Sequence, residues 1–225
     1  MKVAVFGNNK AEAEKLAEKA GFTLAEDKLD FVISYGGDGT LMKSEFAYPG
    51  IPKIVLKDSQ VCKVCSVFPN EEVLAKIRQG SYEIKPLMKL EASANGRTIA
   101  GLNDIIVHNA DPRHGIRYQL WANERQFGST IIGDGVVVAT PLGSTAYYRS
   151  ITDSFFETGI GLAFNNSTEQ MDHIVLGDEK TIKVKIIRGP AVVYADNQEE
   201  HLDLKEGDEI SIKKSDSVAQ WVVAK

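Results

Sequence analysis

Positive charge is in short supply in this 225-residue chain: 26 Lys and Arg stand against 31 Asp and Glu, a formal net charge of −5. A small acidic excess supplies no general attraction for nucleic acid or anionic lipid, so neither is expected as a partner. No apolar run approaches the ~20 residues that a bilayer span needs. Residues 1–6 have the charged and apolar look of a leader, but Gly7-Asn8-Asn9-Lys10 interrupts them too early for a signal peptide. A cytoplasmic protein is expected. Cysteine is nearly absent: Cys62 and Cys65 form a single C-x-x-C. A redox pair would want the first thiol at a helix N-terminus, and zinc would want two further ligands. The four histidines, His108, His114, His173 and His201, fall at no ligand spacing. Two buried or half-buried free thiols are the expectation. There is no G-x-x-x-x-G-K-[ST] segment, which excludes a P-loop enzyme. Repeats, low-complexity tracts and a Pro-rich linker are also missing. What remains, 43% hydrophobic and 25% charged residues, is the composition of a globular protein with a sizeable core.

The first third alternates strand and helix. Residues 2–6 are a short apolar run ending in a Gly-Asn-Asn turn, and 11–20 is an Ala-, Glu- and Lys-rich helix closed by Gly21. A second strand at 30–34 runs straight into Gly36-Gly37-Asp38-Gly39-Thr40. A helical turn or more is read at 41–46, a third strand at 53–56, and a helix at 71–79 opened by Asn70. Strands separated by helices imply parallel β-α-β units. From about residue 87 the texture changes: 87–94 alternates, Asn95-Gly96 is a hairpin signal, and short strand-like runs follow at 104–107, 118–122, 126–132, 136–139, 182–187, 191–194, 209–212 and 218–223. Two domains are expected, 1–86 of α/β type and 87–225 mostly antiparallel β, with the last strand able to return to the first.

Three segments carry candidate chemistry. In Gly36-Gly37-Asp38-Gly39-Thr40, three glycines directly after a strand let the backbone turn sharply and bring its N–H groups toward a ligand, and the helix N-terminus behind them suits phosphate. Asp38 is out of place in a loop that only holds an anion. It makes sense as a base for a hydroxyl, or as an indirect Mg²⁺ anchor. Asn103-Asp104, entering a strand, suits ribose hydroxyls or an adenine edge, although a turn explains it as well. In the segment 133–147, a buried strand runs into a Pro-Gly turn and then Ser144-Thr145, a pair able to cap a new helix. This exposes backbone N–H groups, two hydroxyls and an aromatic face together, although a hairpin and helix start without a ligand explains it as well.

Together these segments resemble the NAD kinase family: G-G-D-G-T at 36–40, N-D at 103–104 and G-D-G-V-V-V-A-T-P-L-G-S-T-A-Y at 133–147, in that order. The resemblance implies an N-terminal Rossmann-like β-α-β domain that handles phosphates and a β-rich domain that binds NAD. It implies transfer of the ATP γ-phosphoryl group to the 2′-hydroxyl of the adenosine ribose of NAD, with Mg²⁺ or another divalent metal held through the phosphates. Asp38 would take the hydroxyl proton, and Gly36, Gly37, Gly39 and Thr40 would hold phosphate. Asn103 and Asp104 would contact nucleoside hydroxyls or base edges, Thr145, Ala146 and Tyr147 the adenine side, and Asp134 and Ser150 the nicotinamide end. Asp196, in Tyr194-Ala195-Asp196-Asn197, resembles a late acidic element of the same site. Dimers or tetramers of the chain are implied as well.

The chain departs from the family pattern at 57–63, where Lys57-Asp58-Ser59-Gln60-Val61-Cys62-Lys63 replaces an Asn- and Gly-rich segment. Lys57 and Lys63 are read there as solvated side chains. Ile132 stands where a basic residue is usual, and 150–156 lacks a Gly-Gly-Pro. Two other readings stay open: a lipid kinase sharing the G-G-D-G-T loop, and a dinucleotide-binding sensor without transfer activity.

Overall fold

A computed structural model describes residues 1–60, 62–168 and 171–225. The chain forms two compact units, one of Met1–Leu87 with Val218–Lys225 and the other of Met88–Ser217.

The first unit is a parallel sheet with helices. In chain order it contains β1 (Lys2–Gly7), α1 (Lys10–Lys19), β2 (Thr23–Leu24), β3 (Phe31–Gly36), α2 (Asp38–Ala47), β4 (Lys53–Lys57) and α3 (Asn70–Arg78). The strands lie in the order β2-β1-β3-β4, all parallel. The chain's end adds Trp221 and Val222 beside Lys53 and Ile54 of β4, again parallel. β3 is buried along its whole length, which is why its sequence is a continuous apolar run rather than an alternation. Val3, Val5, Ile33, Ile54 and Leu56 of the sheet pack with Ala13 and Ala17 of α1 and with Val73, Leu74 and Ile77 of α3.

Two details at the helix ends differ from the sequence reading. α2 begins at Asp38 itself, three residues before the helical turn expected from 41. Asn70 does not cap α3, whose N-cap is Pro69; instead its side chain accepts the Lys57 N–H and donates to the Lys57 carbonyl, both at 2.9 Å, clamping the end of β4. The far end of α2 is pinned by a buried ion pair. Lys53 on β4 donates to Glu45 of α2 and to the carbonyls of Tyr48 and Ile51.

The second unit is a β-sandwich. Its elements are β5 (Tyr82–Ala94, which begins in the first unit), β6 (Arg97–Gly101), β7 (Asp104–Asn109), β8 (Ile116–Ala122), β9 (Arg125–Gly133), β10 (Gly135–Ala139), α3 being followed in helical order by α4 (Tyr147–Thr152), then β11 (Ile160–Asn165), β12 (His173–Leu176), β13 (Ile182–Arg188), β14 (Ala191–Ala195), β15 (His201–Leu204) and β16 (Glu209–Ala224, which ends in the first unit). One antiparallel sheet runs β12-β11-β10-β7-β14-β15. The opposing layer contains β13 between β16 and β8, with β9 beside β8 and the β5–β6 hairpin turning at Asn95 and Gly96, both at positive φ. Alternate residues of both layers meet in one core that includes Leu90, Ile105, Val107, Tyr118, Leu120, Val136, Val138, Leu162, Val184 and Val193. β10 is buried on both faces, because Val137 and Ala139 pack outward against Tyr148 of α4. That double burial accounts for the unbroken Val-Val-Val-Ala.

Removing one partner of the buried pair leaves an uncompensated charge, so Glu45→Ala is expected to lower the unfolding free energy by about 3–5 kcal/mol in a urea titration. A loss under about 1 kcal/mol would show the pair to be dispensable.

Candidate functional site

In the first unit, β3 delivers Gly36 and Gly37 to the start of α2. Gly36 has no room for a side chain: a Cβ there would stand 2.1 Å from Thr40 Oγ1 and 2.8 Å from Thr40 Cβ. Thr40 folds back over this bend, its Oγ1 accepting the Gly37 N–H at 3.4 Å and its own N–H bonding to the Gly37 carbonyl at 3.0 Å. Asp38 is the first helical residue, where the N–H groups of a first turn have no partner within the helix and favour negative charge. Its Oδ1 accepts two main-chain bonds from far along the sequence, from Lys63 N–H at 2.9 Å and Val64 N–H at 3.1 Å. Gly36, Gly37, Asp38, Gly39 and Thr40 thus form one bend. Its surroundings are acidic: burial first, and then the charges of Glu12 and Asp58, raise the pKa of the Tyr35 hydroxyl at the end of β3.

The segment facing this bend overturns one expectation. Cys62 and Cys65 are joined in a disulfide, with Cα atoms 5.4 Å apart, and are not free thiols. Their spacing allows this because the chain turns back within the four residues. Lys57 and Lys63 are exposed. Val61, within the same 57–63 stretch, lies outside the described residues.

In the second unit, the Asn103–Asp104 segment and the segment 133–147 come together. Gly143 sits so close to Asn103 that a Cβ would meet the Asn103 carbonyl oxygen at 2.0 Å. Thr140 donates its N–H to the Asn103 carbonyl and its hydroxyl to the Leu102 carbonyl, each at 2.8 Å. Asp196, at φ +50°, joins from the end of β14: its carboxylate accepts N–H bonds from Leu102 (2.8 Å), Asn103 (2.7 Å) and Asp104 (3.2 Å). Two carboxylates therefore lie close together, Asp104 buried and Asp196 half-buried. Burial, and then the Asp196 charge, push Asp104 up to about 7, while three amides counter the burial that raises Asp196. The negative charge belongs on Asp196, which has the donors, and the proton on Asp104.

Tyr147, the first residue of α4, belongs to the same region, since the charges of Asp134 and Asp104 both contribute to its raised pKa, after burial as the largest cause. Asn165 of β11 donates to the Tyr147 hydroxyl at 3.0 Å and lies 3.2 Å from His108 Nε2. Asp134 accepts from Asn109 (3.2 Å) and Asn166 (3.1 Å). Asn165, Asn109 and His108 escaped the sequence reading, because isolated Asn and His residues on strands carry no spacing signal. The helix cap expected at Ser144 and Thr145 is absent. Residues Gly143–Thr145 form a 3-10 turn, α4 starts two residues later, and Ser144 Oγ donates to the Pro141 and Phe156 carbonyls instead. Thr145 Oγ1 bonds to the Leu142 carbonyl, and Ala146 is the N-cap of α4. Ser150 is exposed, its hydroxyl donated to the Tyr147 carbonyl within the helix. Among the described residues no group of three or more His, Cys, Asp or Glu side chains could hold a metal ion.

The family model for the ATP-NAD kinase C-terminal domain matches residues 102–224, more than half of the chain. The chain belongs to the NAD kinase family. It is a kinase by that membership. An NAD kinase of Carboxydothermus hydrogenoformans is 32% identical over 214 residues, covering 88% of this chain and 76% of that protein. An NAD kinase from Archaeoglobus fulgidus, solved with ATP, has the same fold (TM-score 0.78, 23% identity, 100% of this chain and 94% of that one). So does yeast NADH kinase solved with NADH, at a TM-score of 0.85, 16% identity, and 100% and 84% coverage. The α/β unit followed by a mostly antiparallel β unit is thus the fold of this family. No described helix is long and apolar enough to cross a membrane.

The Asp104–Asp196 pair has a pH signature. Below about pH 4 Asp104 is protonated in both folded and unfolded chains. As pH rises from there to about 7, the unfolded chain releases its proton and the folded chain keeps it, so stability falls and then levels off. Asp104→Asn removes this dependence. Relative to wild type, the variant is expected to gain a few kcal/mol, at most about 4, between pH 4 and pH 8 in urea titrations. Parallel pH curves would show that Asp104 is ionised in the folded state.

Proposed function

We propose that this kinase transfers the γ-phosphoryl group of ATP to the 2′-hydroxyl of the adenosine ribose of NAD, giving NADP. The observation that carries this reading is the placement of Asp38. A carboxylate at the head of a helix, directly after a glycine bend and oriented through Oδ1 by two amides, is equipped to receive a hydroxyl proton. A bend built only to grip an anion would gain nothing from a negative charge there. In the transfer, the 2′-oxygen forms a bond to the γ-phosphorus while the bond to the bridging β,γ-oxygen breaks. The hydroxyl proton passes to Asp38 Oδ2 and ADP leaves.

The first unit, in this reading, handles phosphate: the bend of Gly36, Gly37, Gly39 and Thr40 places a helix N-terminus there. The field around Tyr35 is acidic and the bend has no Lys or Arg, so the charge of the polyphosphate is neutralised by Mg²⁺ or a similar divalent cation entering with ATP as part of the substrate. The second unit binds NAD. Asn103 and Asp104 meet nucleoside hydroxyls or a base edge. Asp196 holds that segment in shape, Thr145, Ala146 and Tyr147 serve the adenine side, and Asp134 and Ser150 the nicotinamide end. The strands at the sheet ends, β9, β12 and β15, are edges that a second copy would pair with or cover in a homodimer or homotetramer. We place the enzyme in the cytoplasm, with the NAD and ATP it consumes. The family match over the second unit, where the dinucleotide residues lie, favours NAD over a lipid acceptor.

Asp38→Asn is expected to lower turnover by about 10²-fold or more in an assay of NADP formed from NAD, ATP and Mg²⁺, while NAD still binds by calorimetry. A variant turning over within a few-fold of wild type would remove Asp38 from the chemistry. Wild type that binds NAD and forms no NADP would be a sensor.

A further inference from the structure

The segment between β4 and α3 touches the Asp38 bend at several points. The Cys62–Cys65 bridge encloses two residues, Lys63 and Val64, and the main-chain N–H of each donates to Asp38 Oδ1. The sulfur of Cys65 lies 3.8 Å from the carbonyl oxygen of Gly36, the residue at which the bend starts. Val64 is anchored in the interior at 3% exposure, and both cysteines are half-buried, within reach of a small reductant. Two consecutive amides aim at one oxygen only if the chain is held in a tight turn. A covalent link across that turn excludes most of the other conformations the segment could take. The bridge acts on the carboxylate through those amides.

We infer that Cys62 and Cys65 are positioning residues for Asp38: their disulfide preorganises the Lys63 and Val64 amides that orient the carboxylate, and its reduction by a dithiol slows phosphoryl transfer. This rests on the reading of Asp38 as the proton acceptor. In the redox step one thiolate of the dithiol attacks a bridge sulfur, and the protein S–S bond breaks to give a mixed disulfide and one free cysteine thiolate. The dithiol's second thiolate then attacks its own sulfur in that mixed disulfide and expels the other cysteine as a thiolate. The protein gains two electrons and two protons as two thiols, and the dithiol becomes a disulfide. Once free, the 62–65 segment no longer imposes one orientation on Asp38, and small misplacements of a reacting group cost large factors in rate.

The test measures NADP formation by the full-length protein from NAD, ATP and Mg²⁺ when oxidised, after dithiothreitol, and after reoxidation. Reduction is expected to lower kcat about tenfold, with KM for ATP changed less than about twofold, and reoxidation to restore it. The Cys62→Ser/Cys65→Ser double variant should stand at the reduced level and ignore dithiothreitol. On the Asp38→Asn background the residual turnover should not respond to reduction, because the two changes act through one group and do not add. Amide hydrogen exchange at Lys63 and Val64 gives a readout independent of catalysis and should quicken on reduction. Equal turnover of oxidised and reduced wild type, or the same fall on the Asp38→Asn background, would overturn the inference while leaving the NAD kinase reading intact. If oxidised wild type formed no NADP while those amides were protected only in the oxidised protein, the positioning would stand and the proposed reaction would fall.

Discussion

A carboxylate taken partly or wholly out of water must find hydrogen-bond donors, and in this protein the main chain supplies them. Asp38 is met by the amides of Lys63 and Val64, and Asp196 by those of Leu102, Asn103 and Asp104. Each acid thereby ties a segment remote in sequence to the one that carries candidate chemistry. The requirement runs in both directions: the amides need an acceptor as much as the acid needs donors. In both units the backbone around the candidate residues is shaped by satisfying one negative charge.

The same logic separates two neighbouring acids by role. Asp104, buried, and Asp196, half-buried, lie close enough that two charges cannot be accommodated cheaply. The amides favour the charge on Asp196, and burial and that charge raise Asp104 to about 7. Close backbone packing fixes the rest of the arrangement. Gly143 lies against the carbonyl of Asn103, and Gly36 under the folded-back Thr40, so a Cβ at either position would force its neighbour to shift. These glycines read in the sequence as turn residues, and their packing partners are set only by the fold.

Much of the element pattern was readable, for local reasons. The continuous apolar run of β3, the helix of 10–19 ending near Gly21 and the Asn95-Gly96 hairpin each rest on propensities that act within a few residues. β11, β12 and β15 went unread: Ile160–Asn165 contains Gly and Ala, and the other two have only four residues each, too short for an alternation to stand out. Helix starts were misread where a polar side chain found a better partner than its own helix. Asn70 bonds to Lys57, and Ser144 to the Pro141 and Phe156 carbonyls. The free thiols expected at Cys62 and Cys65 proved to be a disulfide, because a composition argument has no access to a turn that brings two Cα atoms within 5.4 Å.

The sequence by itself determined the change from an α/β to a β-rich part, the family and the glycine bend that ends in an acid, since all three are written in residues adjacent along the chain. Only the tertiary structure decided what holds the acids, which of two carboxylates is the harder to ionise, and that Asn165 stands between Tyr147 and His108. Those outcomes depend on burial and on contacts between residues tens of positions apart, and neither burial nor long-range contact is carried by local sequence.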